Sequence, residues 1–335
     1  AYVENSDWKG WQYIGNTNTD SDPGFIDGSE VKTNIDQTVF WKLGMRAIPV
    51  NEIGLYADAA RAGWMDKPDN GYWNGGAGSW NNTSVSWSAN SGQAASSTWD
   101  RNAFTTAVFA GSGGTVNVAE PVAADGLIFE TGGYTLSGTQ PLMLAGPETM
   151  IDRKNHGATI NAPLTGLGGI AVAGTGTLTL GGSSNYNGAT AVRVGTLALA
   201  GGDNRLPKGT ILTLGDGGSV NVGVLKLNGC NQEFTGLSTA GFEGYNNNGL
   251  FAGNRVLNGS ATPCTLTLNI ESGLNNQFVG TLGGSGQYDN NFAVKKTGGG
   301  TLWLGRSANW RGGTTIEESA MELSSVWWQG KEASG

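Results

Sequence analysis

Charged residues are scarce in this chain of 335 residues. Asp, Glu, Lys and Arg together make 14% of it, whereas about 25% is usual for a globular protein. The net charge is −8, and the clustered Lys and Arg of a nucleic-acid-binding surface are missing, so we expect no nucleic-acid partner. No run reaches the roughly 18 apolar residues of a membrane-crossing helix, so we expect no membrane-spanning segment.

Residues that perform catalysis are also few. His156 is the single histidine, which excludes a site built on two or more histidines. The Gly-x-Ser-x-Gly motif of serine hydrolases and the phosphate-binding Walker A motif do not occur. The 27 acidic residues are scattered, and none stand out as the pair of carboxylates that a glycosidase needs. The sequence therefore predicts no catalytic residue in this chain.

Glycine, in contrast, is abundant. The chain has 57 glycines, more than twice the usual share of about 7%. They separate short runs in which apolar and small polar residues alternate, a pattern that is typical of strands. These runs are Gly114–Val118, Gly133–Leu136, Thr177–Leu180, Thr196–Leu199, Ile211–Leu214 and Thr265–Leu268. No stretch beyond residue 70 has the apolar spacing of a helix.

One segment of the chain occurs twice. Gly174–Leu199 aligns without gaps with Gly298–Leu323, at an offset of 124 residues, and 11 of the 26 aligned positions are identical. Three leucines, Leu178, Leu180 and Leu199, are kept in the second copy, and Tyr186 is matched by Trp310. A repeat of short strands indicates a solenoid, in which each copy packs on its neighbours.

The repeat predicts the fold for a physical reason. A strand of four residues cannot bury a core alone, but strands stacked about 4.8 Å apart form a parallel sheet whose inward side chains build a continuous core. Gly and Asn at the corners allow the φ > 0 turns that bend the chain. We therefore predict an all-β fold, a right-handed parallel β-helix (solenoid). At roughly 20–25 residues per turn, residues 101–335 would form about ten turns.

The pattern Gly-Thr-Gly-Thr-Leu-x-Leu-x-Gly, followed by Asn-Tyr-x-Gly-x-Thr and Gly-Thr-Leu, resembles the autotransporter-associated β-strand repeat. It is carried by Gly174–Leu199, and the second copy departs from it at Glu318 and Ser319. The resemblance covers about residues 70 to 325. It implies a β-helix in the passenger region of a large exported bacterial protein, and it implies little about activity.

A second resemblance lies near the start of the chain. Asp22–Asp27 followed by Phe40–Arg61 resembles the closing segment of pectin-lyase-like right-handed β-helices, many of which act on polysaccharides. We therefore expect three parts. Residues 1–66 are the C-terminal cap of a preceding β-helix, residues 67–100 are a Trp-, Gly- and Asn-rich linker with an opening turn, and residues 101–335 are the autotransporter-type repeat domain.

The two cysteines, Cys230 and Cys264, are too few for a disulfide framework or a four-ligand zinc site. In an exported solenoid, neighbouring turns could bring them together as one disulfide, and two separate buried thiols are an equally good interpretation. Asp20, Asp22 and Asp27 are weak candidates for a Ca²⁺ site. A turn centred on Asp22-Pro23-Gly24 is the favoured interpretation of this segment, so we expect no cofactor.

Tryptophan is concentrated toward the two ends of the chain. Trp73, Trp80 and Trp87 are spaced seven residues apart, and they are candidates for contacts with sugar rings. The favoured alternative is that tryptophans shield the ends of a solenoid core.

These observations favour an extracellular or cell-surface, non-catalytic, structural or adhesive β-helix module of a large exported bacterial protein. Its expected partners are a cell-surface or extracellular polysaccharide, or a second copy that associates through the solenoid ends. One alternative is that the chain is the C-terminal portion of a polysaccharide-active glycosidase or lyase whose catalytic turns precede Ala1. Another is a carbohydrate-binding module. Whether the chain belongs to an enzyme is therefore left open.

Overall fold

Strands form the regular structure of the part of the chain that the computed structural model describes. That part comprises residues 25–26, 30–31, 70–100, 105–217, 221–240, 253–305, 308–317 and 320–323. It contains thirty strands and no α-helix. Accordingly, we find no helix there that could cross a membrane.

The strands in chain order are β1 Phe25–Ile26, β2 Glu30–Val31, β3 Asn70–Trp73, β4 Gly78–Trp80, β5 Thr106–Phe109, β6 Thr115–Val118, β7 Val122–Ala124, β8 Gly126–Phe129, β9 Tyr134–Ser137, β10 Leu142–Leu144, β11 Glu148–Asp152, β12 Ala158–Ile160, β13 Leu164–Gly166, β14 Gly169–Ala173, β15 Thr177–Leu180, β16 Asn185–Tyr186, β17 Thr190–Val192, β18 Gly195–Leu199, β19 Ile211–Leu214, β20 Gly223–Lys226, β21 Gln232–Phe234, β22 Gly236–Thr239, β23 Arg255–Leu257, β24 Cys264–Asn269, β25 Asn275–Phe278, β26 Thr281–Leu282, β27 Phe292–Thr297, β28 Thr301–Leu304, β29 Thr314–Ile316 and β30 Ala320–Leu323.

From β3 onward the strands stack in parallel and form a solenoid of about nine turns, each of which we call a rung. Face one contains β3, β5, β8, β11, β14, β17, β19 and β22, and it continues with β25, β28 and β30. The two parts are joined where the Leu237 N–H of β22 donates to Oδ1 of Asn276 on β25 (2.8 Å). Face two contains β4, β6, β9, β12, β15, β18, β20, β23 and β26. Face three contains β7, β10, β13 and β16, followed after a break by β21, β24, β27 and β29. Separately, β1 and β2 form an antiparallel pair.

The core lies between the three faces and consists of columns of stacked side chains. In β15 the residues Leu178 and Leu180 are buried while Thr177 is exposed, because successive side chains of a strand point to opposite sides. Residues of one column occupy the same register position in successive rungs, and burying each large apolar member stabilises the fold by roughly 1.5–3 kcal/mol. The longest such column on face two is Tyr134, Ala158, Leu178, Leu197, Leu225, Val256 and Leu282.

The prediction of an all-β solenoid is confirmed. Each alternating run identified in the sequence contains or overlaps a strand of the solenoid, from β6 to β24. Rung length varies more than predicted. Leu178 pairs with Leu197, 19 residues later, whereas Val224 pairs with Arg255, 31 residues later. The variation arises because loops of different length are inserted at the corners, where they do not disturb the core.

Both copies of the sequence repeat form a rung of the same length. Leu178 on β15 pairs with Leu197, and Leu302 on β28 pairs with Met321, so the paired residues are 19 positions apart in each copy. The copies nevertheless occupy different faces. β15 lies on face two and β28 lies on face one. The repeat therefore specifies the local strand and corner geometry, and it does not specify which of the three faces each strand joins.

Arg153 joins three successive rungs at one corner. Its side chain is fully buried, and its guanidinium donates five hydrogen bonds of 2.6 to 3.0 Å to backbone carbonyl oxygens. The acceptors are Ala173, Gly174, Gly176, Val194 and Thr196. Burial lowers the pKa of Arg153 to about 10, against the opposing effect of the neighbouring Asp152 charge, so the group remains charged at neutral pH.

Glycine is required beside this guanidinium. Gly195 has φ +78°, and a Cβ atom there would lie 2.3 Å from the Gly174 carbonyl oxygen and 3.0 Å from Nη2 of Arg153. A larger residue would therefore push the two rungs apart at the point where Arg153 holds them together.

Candidate functional site

A polar groove lies where face three is interrupted between β16 and β21. The intervening rung has no strand on this face, and residues 200–209 form a loop there. The groove has a volume of about 510 Å³. We define the face-three groove by the polar residues Ser183, Asn185, Asn187, Asn204 and Lys208 among its lining residues.

Side chains, together with backbone groups of the loop, replace the missing strand pairing beneath the groove. Gln232 is buried and exchanges two hydrogen bonds of 3.1 Å with the backbone of Leu206. The Glu233 N–H donates to Oδ1 of Asn204 (3.1 Å), and the Ser184 N–H donates to the Arg205 carbonyl (3.0 Å). The interruption is therefore satisfied internally, and the outward side chains are left to contact other molecules.

The loop beside the groove is held in place from both sides. Arg205 donates to the carbonyl oxygens of Asp203 (2.9 and 3.2 Å) and Gly181 (3.2 Å). The Asp203 carboxylate accepts two hydrogen bonds of 2.9 Å from the side chain and backbone of Asn231, and these bonds lower the pKa of Asp203. A groove that is already ordered loses little conformational freedom when a ligand binds.

The lining of the groove can exchange hydrogen bonds with a hydroxyl-rich molecule. Ser183, Asn185 and Asn187 alternate along the chain and are exposed, while Tyr186 between them is buried. The exposed Lys208 forms an ion pair with Glu233 (3.5 Å) and supplies the one ammonium group in the lining. Amides offer both donors and acceptors, so the groove suits a polysaccharide better than an apolar ligand.

The tryptophans proposed from the sequence as sugar contacts pack together at the N-terminal end of the described solenoid. Trp73, Trp80 and Trp87 are 4%, 0% and 1% exposed. Trp99 joins them, with its ring centroid 4.4 Å from that of Trp87 and 5.0 Å from that of Trp80. Phe109 of the next rung lies 5.7 Å from Trp80. A sugar ring needs an exposed aromatic face, and in this arrangement the rings cover one another and the core.

A second, acidic groove of about 410 Å³ lies on face one. Three carboxylates line it, from Asp125 and from Glu148 and Asp152 of β11. Glu148 is paired with Arg193, and Asp152 with Lys154 (2.7 Å). Burial alone would raise the pKa of Asp152, but hydrogen bonds and charge from Lys154, with the charge of Arg153, lower it overall. A general acid needs a raised pKa, which Asp152 lacks. Glu148 and Asp152 are four positions apart on one strand, about 13 Å, which is more than the separation of a glycosidase pair.

Cys230 and Cys264 are both buried, 5% exposed, with free thiols in this structure. Among the residues that the structure describes, no group of three or more His, Cys, Asp or Glu is arranged to hold a metal ion. Asp20, Asp22 and Asp27 lie outside the described residues.

The face-three groove was not identified from the sequence. Its only local signal is the alternation in Ser183–Asn187, which we interpreted as part of the repeat. The groove exists because residues 200–209 form no strand and because Gln232 hydrogen-bonds the backbone of Leu206 in its place. The alternation of apolar and polar residues in the sequence predicts neither feature.

Comparison with known proteins adds one relative. The chain is 39% identical over 128 residues to the adhesin BmaC autotransporter of Brucella suis biovar 1 (strain 1330). The match covers 37% of this chain and 4% of the length of that adhesin. No family model matches the chain, and no solved structure matches it. Together, the similarity and the parallel solenoid support an autotransporter passenger β-helix.

Proposed function

We propose that this chain is an extracellular, adhesive β-solenoid module from the passenger region of an exported bacterial protein. The observation that carries the proposal is the 39% identity to an autotransporter adhesin in a chain that folds as a parallel solenoid. The solenoid supplies a rigid rod, because each rung buries its core against the next. The low share of charged residues, 14%, agrees with a surface dominated by Thr, Ser and Asn.

We further propose that the face-three groove is the adhesive surface and that its ligand is a surface polysaccharide. Hydrogen bonds from Asn185 and Asn187 to sugar hydroxyls would set the orientation of the ligand, and Lys208 would favour a polysaccharide that carries carboxylate or sulfate groups. Neutral hydrogen bonds contribute about 0.5–1.5 kcal/mol each, so affinity for one short segment is weak. Repeated contacts along a polysaccharide strengthen attachment through avidity.

Binding of the full chain to immobilised neutral and acidic polysaccharides tests this proposal. The groove variant, N185A/N187A/K208A, should bind at least about tenfold more weakly than the wild type, because three polar contacts are removed. Binding by the wild type that is unchanged in the groove variant would place the adhesive surface elsewhere.

A matched control distinguishes loss of the groove from a general loss of surface polarity. The face-two variant, T115A/T177A/K226A, likewise removes two neutral polar side chains and one ammonium group from outward positions of the solenoid. It should bind as the wild type does. Equal loss in both variants would indicate non-specific contact.

Self-association is a second candidate function, favoured by the last described rung. Ile316 on β29 is 49% exposed and Leu323 on β30 is 66% exposed. Among the described strands none pairs beyond β29 and β30, and an unpaired strand edge with apolar side chains is a template for further strands. Sedimentation velocity of the wild type should then show concentration-dependent association that I316K/L323K abolishes. Monomeric sedimentation of the wild type at every concentration would exclude this candidate.

A further inference from the structure

The parallel pairing of β21 with β24 places the two cysteines opposite each other. Gln232 pairs with Leu266 and Phe234 pairs with Leu268, so paired residues are 34 positions apart. Extending this register by two residues toward the N-terminus brings Cys230 opposite Cys264. Both side chains belong to the buried core, and both are 5% exposed. They therefore occupy the same inward column in two successive rungs.

The contacts of the Cys264 sulfur agree with this placement. The Gly229 backbone, one residue before Cys230, and the side chains of Cys230 and Asp203 all lie close enough to the Cys264 sulfur to act on its pKa. Burial, the largest effect, raises the pKa of Cys264 to about 12. Neighbouring parallel strands lie about 4.8 Å apart, within the Cα separation of about 4.4–6.8 Å that a disulfide spans.

We propose that Cys230 and Cys264 form a disulfide that joins two successive rungs of the exported protein. Two S–H bonds break and one S–S bond forms, and the two protons and two electrons pass to an oxidised disulfide compound, which is reduced to two thiols. The link closes one complete rung between the cysteines, so this rung cannot detach from the stack while the bond is intact.

The inference rests on the proposed function in one respect, because a disulfide persists only in an oxidising compartment such as the cell exterior. Its chemistry is otherwise independent of adhesion. The disulfide constrains the unfolded chain by closing a loop, and neither cysteine lines the face-three groove.

Refolding of the full chain from its reduced, denatured state tests the proposal. One sample is refolded with oxidised glutathione and one with dithiothreitol, and non-reducing peptide mapping by mass spectrometry follows. With oxidised glutathione we expect a single linked peptide that contains both cysteines, and the number of thiols alkylated after denaturation should fall from two to zero per chain. The linked chain should unfold at a higher urea concentration than the reduced chain.

The double variant C230A/C264A is the control for stability, since alanine suits a buried apolar position. Its urea midpoint should be the same with either refolding reagent. Two free thiols in a folded, oxidant-treated wild type would overturn the proposal, and so would links that form only between chains. Polysaccharide binding by C230A/C264A is measured separately, so failure of the disulfide and failure of adhesion are distinguishable.

Discussion

The hydroxyl of Tyr186 lies 2.5 Å from the hydroxyl of Thr190, and both side chains are buried at the corner between faces three and one. At the matched positions of the second copy, the indole N–H of Trp310 donates to the Thr314 hydroxyl at 2.9 Å. The aromatic residue changes and the bond to the threonine four residues later is kept. In both copies a polar atom of the ring is therefore hydrogen-bonded to the threonine hydroxyl at this corner.

This pairing predicts that T190V destabilises the protein. Thr190 also lies 2.9 Å from the Thr210 hydroxyl, so valine leaves two buried hydroxyl groups short of a partner. We expect the free energy of unfolding to fall by about 1–3 kcal/mol, measured by urea unfolding followed by circular dichroism. T314V, at an exposed position, should cost less than about 1 kcal/mol. Equal effects of the two substitutions would contradict this account of the corner.

The five hydrogen bonds of Arg153 predict a large effect of its removal. R153M removes five hydrogen bonds to backbone carbonyl oxygens in a buried corner, and we expect a loss of about 3–5 kcal/mol in the free energy of unfolding. R193M is the matched control, because Arg193 is 41% exposed and forms a surface ion pair with Glu148. Removal of such a pair costs about 0–1 kcal/mol. An R153M protein as stable as R193M would show that the corner does not depend on the guanidinium.

Burial of Cys264 predicts a loss of stability at alkaline pH when the thiols are kept reduced. Its folded pKa of about 12 lies above the ordinary thiol value of 9.0, so above pH 9 the unfolded chain releases a proton that the folded chain retains. The unfolded state is thereby favoured, and stability falls as pH rises. Between pH 9 and pH 10 the loss is about 1 kcal/mol for this group. Urea unfolding of C264A should show a decline that is smaller by this amount, and an identical decline would contradict the prediction.

Substitution of a tryptophan in the cluster distinguishes a role in core packing from a role in sugar binding. Because Trp80 is fully buried, W80A should destabilise the protein by roughly 3–5 kcal/mol. W303A, at a half-buried outward position of β28, should cost less. A W80A protein that keeps its stability and loses polysaccharide binding would instead support tryptophan platforms for sugars.

The sequence was sufficient to predict the strands of the solenoid because their signal is local. In Thr177–Leu180, alternation alone determines which side chains face the core, and the glycines on either side mark the corners. The face that each strand joins depends on how many strand positions precede it along the chain, which a local pattern does not show. For that reason the repeat at β28 lies on face one although its counterpart β15 lies on face two.

The face-three groove could not be predicted for a related reason. Asn185 and Lys208 are 23 positions apart in a sequence full of Asn and Gly, and they share a groove only because one rung lacks a strand on face three. Likewise, the buried state of Arg153 depends on carbonyl oxygens from two later rungs. No pattern around Arg153 itself indicates them.

Attachment to cells tests the adhesive function most directly. Beads that carry the full wild-type chain, the groove variant or the face-two variant are added to cells that carry surface polysaccharides, before and after enzymatic removal of those polysaccharides. The account predicts that wild-type and face-two beads attach, that groove-variant beads attach at least about tenfold less, and that polysaccharide removal abolishes the difference. Wild-type beads that attach no better than uncoated beads would contradict the proposed function.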